Sequence, residues 1–85
     1  MITTELTFGE LATLMKQSAG VTVDPTRLEE SPETPFSELG VDSLGLLGIV
    51  GELENRHGVS LPTDAERCKA PAEFISLVNN ALAGV

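Results

Sequence analysis

Cysteine and histidine are nearly absent from this sequence. The 85 residues contain one cysteine, Cys68, and one histidine, His57. A single cysteine excludes an internal disulfide, and one cysteine with one histidine cannot supply the four ligands of a structural zinc site. Tryptophan and tyrosine are missing and phenylalanine occurs three times. We therefore expect a core built from aliphatic side chains.

Basic residues are also scarce. Five lysines and arginines face 13 acidic residues, which gives a net charge of −8. Such a field repels nucleic acid and anionic membrane surfaces, so neither is expected as a partner. Most of the excess lies between residues 17 and 55, where Arg27 is the only base. This stretch is either a solvated acidic surface or a docking face for basic partners.

Long apolar runs are missing as well. No run approaches the roughly 20 residues that a bilayer span needs. Residues 1–5 lack the basic region and apolar stretch of a signal peptide, so a cytoplasmic location is expected. A chain of this length fits one domain, residues 1–85.

Helical spacing of apolar residues predicts an all-α fold, a small four-helix bundle with three main helices and one short helix. The predicted helices cover residues 7–19, 42–57 and 63–68, and a last one runs from Pro71 to near Gly84. Thr7 and Glu10 have capping-box spacing, and Asp42 is the predicted N-cap of the second helix. Gly58 suits its C-terminal end. Ala70 offers no side-chain cap to the last helix, so its first turn is predicted to fray.

Residues 20–41 have a different composition. They hold three prolines, two glycines and five acids, and their apolar residues are spaced irregularly. This pattern predicts a long loop between helices one and two, with a short turn at Phe36–Leu39. A loop of this length in a compact domain often has a function.

Candidate catalytic groups do not come together in the sequence. A serine nucleophile needs a base beside it. The predicted helix places His57 about 20 Å from Ser43, at 1.5 Å per residue. Arg67 and Lys69 flank Cys68 and would lower its pKa if it were exposed, but a lone cysteine more often packs in a core. We predict no catalytic residue and no metal ligand.

A motif lies where the acidic loop meets the second helix. It reads Gly40-Val41-Asp42-Ser43-Leu44, and it is followed by Leu53-Glu54, Gly58-Val59-Ser60-Leu61-Pro62 and Ala70-Pro71. Over almost the whole chain this pattern resembles the acyl carrier proteins. Further segments make the sequence most similar to the carriers of bacterial type II aromatic polyketide synthases. These segments are Phe36, Leu46-Leu47, Arg56-His57-Gly58-Val59 and Val78-Asn79.

The resemblance implies a covalent cofactor on Ser43. In this family the corresponding serine carries 4′-phosphopantetheine from coenzyme A, attached by a separate phosphopantetheinyl transferase. Asp42 would cap the helix and help the transferase engage, and Leu44, an apolar residue in an exposed first turn, would contact a partner. The free N–H groups of a helix start suit the added phosphodiester.

The resemblance also implies the cargo and the partners. A polyketide carrier would hold malonyl and growing poly-β-keto chains as thioesters. Its partners would be a malonyl transferase, a ketosynthase with its chain-length factor, a ketoreductase, and a cyclase or aromatase. We expect the carrier itself to be a monomer.

Three glycines in the second helix depart from the pattern of fatty-acid carriers, which have acids where Gly45 and Gly48 stand. Glycine weakens a helix interior. We hypothesise that docking here depends more on shape and on loop acids than on helix acids. The expected partner-binding residues are Glu38, Leu47, Gly48, Gly51, Glu52 and Glu54. The alternative is that the glycines only permit close packing or are neutral.

Other classes of function remain open. Val41 stands where aromatic polyketide carriers often have tyrosine, so a fatty-acid or other specialised carrier is one alternative. A non-covalent acidic interaction module is another, and it leaves Ser43 without a role. Val41-Asp42 disfavours a peptidyl carrier, which usually has a second glycine before the serine. A free-standing enzyme is disfavoured because no catalytic constellation is present.

Overall fold

The fold of residues 5–83, described by a computed structural model, is entirely helical. Its elements are α1 (Phe8–Ala19), α2 (Pro25–Glu30), α3 (Ser43–His57), a 3₁₀ helix (Thr63–Arg67) and α4 (Pro71–Ala83). This confirms the all-α prediction with three main helices, and the short helix predicted at 63–68 is the 3₁₀ helix. The predicted end of the last helix near Gly84 lies outside the described residues.

The ends of α1 and α3 follow from their caps. The Thr7 hydroxyl accepts a hydrogen bond from the Glu10 N–H at 3.1 Å, as the capping box predicts. Gly20 and Gly58 end α1 and α3 with φ of 69° and 65°. A side chain at either position would be strained in this left-handed conformation, so glycine terminates both helices.

The prediction of one uninterrupted loop over residues 20–41 is wrong at α2. Asp24 caps this six-residue helix by accepting from the Thr26 N–H at 2.9 Å, and Pro25 occupies its first position. Leu28 alone on α2 is buried, and one apolar residue in six gives no helical period to detect. The predicted turn is present, because the Leu39 N–H donates to the Phe36 carbonyl at 3.0 Å.

The core is aliphatic, as the composition predicts. Its largest fully buried side chains are Phe74, Leu11, Leu14, Met15, Leu28, Ile49, Leu53 and Val78. Phe36 anchors the loop against Phe74 with an edge-to-face contact, the ring centroids 5.9 Å apart. No polar or charged residue in the described part of the chain is buried in this core.

Helices α1 and α3 pack antiparallel. The C-terminal end of α1 lies against the start of α3, since a Cβ added to Gly45 would meet the Ala19 side chain. At the opposite end, Arg56 and His57 of α3 both lie 3.8 Å from the Glu10 carboxylate. This arrangement fixes the position of the α3 N-terminus on the surface of the bundle.

The prediction of a frayed first turn in α4 is wrong. Ala72 donates its N–H to the Pro32 carbonyl at 2.8 Å, and Glu73 accepts from the Lys69 N–H at 2.8 Å. The loop before α3 therefore supplies the cap that Ala70 lacks. Sequence reasoning missed this because the partner carbonyl lies about 40 residues away along the chain.

Candidate functional site

Ser43 is the first residue of α3, and its side chain is exposed. Asp42 before it is the N-cap, and its carboxylate oxygen accepts from the Gly45 N–H at 2.7 Å. The Asp42 carbonyl accepts from the Leu46 N–H at 3.0 Å, which closes the first helical turn. Asp42 therefore fixes the turn that presents Ser43.

Two backbone amides at this helix start remain available. Among the described residues, neither the Ser43 N–H nor the Leu44 N–H donates to a protein acceptor. Unpaired N–H groups at a helix N-terminus, together with the positive end of the dipole, attract an anion such as a phosphodiester. The Ser43 position thus fits a phosphate-linked group.

No base is placed beside the Ser43 hydroxyl by the helix. His57 is the last residue of α3, 14 residues later, which is about 21 Å along the axis at 1.5 Å per residue. Its side chain lies near Glu10 instead. His57 is therefore too far from the Ser43 hydroxyl to act as its base.

A groove opens beside Ser43. Its volume is about 310 Å³, and it is lined by Pro35, Phe36, Ser37, Val41, Asp42, Ser43, Leu46, Glu66, Cys68 and Lys69. The 3₁₀ helix and the segment after it bring Glu66, Cys68 and Lys69 to this site. Sequence reasoning missed that placement, because nothing in the local pattern shows which way a short 3₁₀ helix packs.

Cys68 is a buried wall of this groove rather than a reactive thiol. Burial, followed by the nearby carboxylates of Glu73 and Asp64, raises the pKa of the Cys68 thiol to about 11. The Cys68 thiol also lies 3.5 Å from the Asp64 carbonyl oxygen, which accepts its hydrogen bond. The packing role favoured by the sequence is confirmed, and the neighbouring Arg67 and Lys69 do not lower the pKa.

An exposed apolar stripe runs along α3 from the serine. Leu44 is 74% exposed and Leu47 is 46% exposed, and they are the large hydrophobic side chains exposed in the described structure. Gly48 and Gly51 are exposed too. The spacing of these four residues places them on one helix face. We call this surface, Leu44, Leu47, Gly48 and Gly51, the α3 stripe.

The glycines of α3 differ in their surroundings. A Cβ at Gly45 would lie 2.9 Å from the Ala19 Cβ and 3.3 Å from the capping oxygen of Asp42. For Gly45 the close-packing alternative is therefore confirmed. A Cβ at Gly48 would make only ordinary contact with Ser18, at 3.5 Å, and one at Gly51 would have no neighbour within 4 Å. Packing does not require glycine at these two positions.

The acidic residues predicted to bind partners differ in whether their carboxylates already have a partner within the fold. The Glu52 carboxylate lies 3.4 Å from Arg56, and Glu54 accepts from the Leu61 N–H at 2.7 Å. Both carboxylates are thus engaged within the fold. Glu38 is exposed in the turn that precedes α3 and makes no ion pair within the described residues.

Within residues 5–83 there is no group of three or more His, Cys, Asp or Glu side chains placed to hold a metal ion. None of the described helices has the length and hydrophobicity that crossing a membrane requires.

Comparison with known proteins identifies the family. The family model described as a phosphopantetheine attachment site matches residues 9–78. The chain belongs to the acyl carrier proteins. The curamycin polyketide synthase acyl carrier protein of Streptomyces cyaneus is 56% identical over 80 residues, which cover 94% of this chain and 91% of that protein. A probable acyl carrier protein of Streptomyces coelicolor is 56% identical over 78 residues, 92% of this chain and 87% of that one.

A solved carrier structure confirms the fold. The actinorhodin holo acyl carrier protein from S. coelicolor superposes with a TM-score of 0.79 and 36% identity, covering 100% of this chain and 99% of that chain. The predicted resemblance, including its closeness to polyketide synthase carriers, is confirmed. Acyl carrier proteins are non-catalytic, carry covalent 4′-phosphopantetheine, and work with a phosphopantetheinyl transferase and synthase enzymes.

Proposed function

We propose that this carrier serves a type II polyketide synthase and that Ser43 is its attachment residue. The observation that carries the proposal is the exposed Ser43 at an open helix start, beside a groove. The relatives named for curamycin and actinorhodin synthases support the polyketide branch. The cargo is malonyl and then poly-β-keto chains, and the carrier acts as a cytoplasmic monomer.

The residues around Ser43 have separate roles in this proposal. The Ser43 hydroxyl oxygen bonds to the pantetheine-bearing phosphorus of coenzyme A, the pyrophosphate bond of coenzyme A breaks with adenosine 3′,5′-bisphosphate as the leaving group, and the hydroxyl proton passes to a base of the transferase. The Ser43 and Leu44 N–H groups then stabilise the added negative charge. Asp42 holds the first turn so that these amides face outward. The cofactor supplies a thiol that holds acyl groups as thioesters, and tethering raises their effective concentration at each enzyme.

The α3 stripe is the proposed contact surface for partner enzymes. An apolar patch beside the attachment residue suits docking, since exposed leucines cost solvation until a partner covers them. Glu38, exposed in the turn that precedes α3, supplies negative charge, while Glu52 and Glu54 contribute less because each is engaged within the fold. The proposed partners are the transferase that adds the arm, a malonyl transferase, a ketosynthase with chain-length factor, a ketoreductase, and a cyclase or aromatase.

Loading and extension would test the polyketide branch. The holo protein would be incubated with malonyl-coenzyme A and either a type II polyketide ketosynthase with its chain-length factor or a fatty-acid ketosynthase. Efficient poly-β-keto extension with the polyketide enzyme and slow turnover with the other is expected. The reverse preference would favour the fatty-acid alternative.

The docking surface would be tested by adding a bulky side chain to the α3 stripe, with the same side chain added on another helix to control for its charge. Gly48→Glu introduces a side chain that the fold has room for, so a loss of ketosynthase binding would report on shape. Gly9→Glu, on α1 and also exposed, is the matched control. Unchanged ketosynthase binding in Gly48→Glu would remove the main support for shape-based docking.

A further inference from the structure

A second pocket lies between α2 and the loop that leads to α3. Its volume is about 350 Å³, at the lower end of the range for ligand-sized pockets. Thr34 and Leu39 of this loop line the pocket, whereas Phe36 and Ser37 of the same loop line the groove at Ser43. We call it the α2 pocket.

The α2 pocket holds a base that the fold does not use. Arg27 lines the pocket and is exposed, and it is the only base between residues 17 and 55. No carboxylate lies within 4 Å of its guanidinium in the described part of the chain. Asp24, on the preceding turn, is engaged instead as the cap that accepts from the Thr26 N–H. The Arg27 guanidinium is therefore available to an acceptor from outside this chain.

The charged residues that follow Arg27 along the chain have the opposite sign. Glu29, Glu30 and Glu33 are exposed, and none of them forms an ion pair among the described residues. Glu30 also lines the pocket. This surface thus presents one positive group in a concave site, within a segment of unpaired carboxylates.

A partner surface of one charge sign does not match this arrangement. A wholly basic surface would be attracted by the carboxylates but would place like charge against Arg27, which is unfavourable. A surface that carries one carboxylate among its basic residues would meet an opposite charge at every position. The charge pattern therefore favours a basic partner with an acidic residue at the point that faces Arg27.

The walls of the α2 pocket suit an acidic side chain. Val23, Leu28 and Leu39 provide apolar surface, against which the methylene groups of an aspartate or glutamate can pack. Ser31 and Thr34 provide two hydroxyls, and each hydroxyl can donate a hydrogen bond to a carboxylate. The pocket thus offers donors for the acidic head and apolar contact for the stem.

The α2 pocket is close to the attachment residue. Leu39 is four residues before Ser43, so their Cα atoms are separated by at most about 15 Å at 3.8 Å per residue. A standard protein interface buries about 800 Å² on each partner, which is wide enough to include both places. An enzyme that receives the arm at Ser43 can therefore cover the α2 pocket in the same complex.

We infer that the α2 pocket is a second docking surface for the ketosynthase with its chain-length factor, and that an aspartate or glutamate of this enzyme pairs there with Arg27. The inference rests on the proposed function and adds to the α3 stripe a contact of defined charge. Such a pair orients the carrier on the enzyme and disfavours enzymes whose docking surface lacks the acid.

Removal of single bases separates this pairing from general charge attraction. Arg27→Gln and the matched control Arg67→Gln, at an exposed residue of the 3₁₀ helix, each remove one positive charge from the carrier. General attraction to a basic enzyme predicts equal or tighter binding of both variants. The inference predicts that only Arg27→Gln binds the ketosynthase more weakly, by about tenfold, because a hydrogen bond to a charged group is lost.

Extension kinetics give a second readout of the same variants. With malonyl cargo on the carrier, Arg27→Gln should raise the KM for the carrier and leave kcat unchanged, because docking and not chemistry is weakened. Equal or tighter ketosynthase binding by Arg27→Gln would overturn the inference. An equal loss of binding in Arg27→Gln and Arg67→Gln would also overturn it, since the effect would then be one of net charge.

Failure of the inference and failure of the proposed function are distinguishable. The wild-type holo carrier is measured in the same extension assay. If the ketosynthase does not extend its cargo, the proposed function fails. If extension proceeds and Arg27→Gln has the KM of the wild type, only the inference fails.

Cross-linking would identify the group that pairs at the α2 pocket. Arg27→Lys places an amine there, and a carbodiimide joins an amine to a carboxylate in contact with it as an amide. Mass spectrometry of the cross-linked complex is expected to find an amide between position 27 and an aspartate or glutamate of the ketosynthase or chain-length factor. Arg67→Lys, the matched control, should give no amide to the same enzyme residue. The absence of an enzyme cross-link at position 27, or amides confined to carboxylates of the carrier or of a second carrier copy, would overturn the inference.

Discussion

Helices α3 and α4 begin in opposite ways. The start of α3 is exposed, and its first two amides, Ser43 and Leu44, have no protein acceptor in the described structure. The start of α4 is closed: Pro71 has no N–H and is buried, and Ala72 donates to the Pro32 carbonyl. A helix start thus stabilises the fold at α4, whereas at α3 it is the proposed place of attachment.

The difference follows from what covers each start. The loop that carries Pro32 and Phe36 bonds to the α4 end of the chain, at Ala72 and Lys69, and leaves the α3 start uncovered. Asp42 must then hold α3 alone, from within its own first turn. An open helix start is compatible with a stable fold because one side-chain cap satisfies the third amide and water or a ligand satisfies the first two.

Removing the cap of α3 should have the largest effect. Asp42→Ala is expected to lower the free energy of unfolding by about 1 kcal/mol, up to about 2, and to slow attachment of the arm because the Ser43 turn loosens. Urea denaturation and the rate of conversion to the holo form would measure the two effects. Asp24→Ala removes the cap of α2 and is the matched control. If both variants slowed arm attachment equally, Asp42 would have no role beyond stability.

Crowding the start of α3 should have the next largest effect. Gly45→Ala places a methyl group against Ala19 and the Asp42 cap, so a net destabilisation on the order of 1 kcal/mol is expected despite the better helix propensity of alanine. Gly51→Ala has open space and should stabilise the protein by about 0.8–1 kcal/mol. Urea denaturation should show a lower free energy of unfolding for Gly45→Ala and a higher one for Gly51→Ala, which would sharpen the comparison. Stabilisation by both variants would show that α1 does not confine this helix start.

Weakening the start of α4 should affect stability alone. Glu73→Ala removes the carboxylate that accepts from the Lys69 N–H. A loss of about 0.5–1.5 kcal/mol in the free energy of unfolding is expected, with no change in the rate of arm attachment. A slower attachment rate, measured by mass spectrometry on the folded variant, would mean that the two helix starts are coupled.

Cys68 lies between the two helix starts and should show the smallest effect. With its pKa raised to about 11, the thiol is neutral at pH 7 and should react slowly with iodoacetamide. The folded state holds the thiol proton more tightly than the unfolded state, whose pKa has the ordinary value of 9.0. The resulting stabilisation of the folded state is complete below pH 9.0 and is lost as the pH rises through about 11. The rate of alkylation of the folded protein should therefore rise with pH, and the midpoint of this rise should lie near pH 11. A midpoint below 9 would show that Arg67 and Lys69 dominate instead.

The main helices and the candidate site were accessible from the sequence because their signals are local. The Thr7 cap, the Asp42 cap and the αL glycines each act within one turn. Helix α2 was not accessible, since Leu28 is its only buried residue. The cap on α4 and the groove wall at Cys68 and Lys69 were not accessible either, because they depend on contacts between segments distant in sequence.

The central claim is that the open start of α3 receives the arm at Ser43. Intact mass would be measured after incubation with coenzyme A, Mg²⁺ and a broad-specificity phosphopantetheinyl transferase. Ser43→Ala is the test variant, and Ser37→Ala, which alters another exposed serine of the same groove, is the matched control. We expect a single phosphopantetheine increment in the wild type and Ser37→Ala, and none in Ser43→Ala. An increment that persists in folded Ser43→Ala, or no increment in the wild type, would contradict the account.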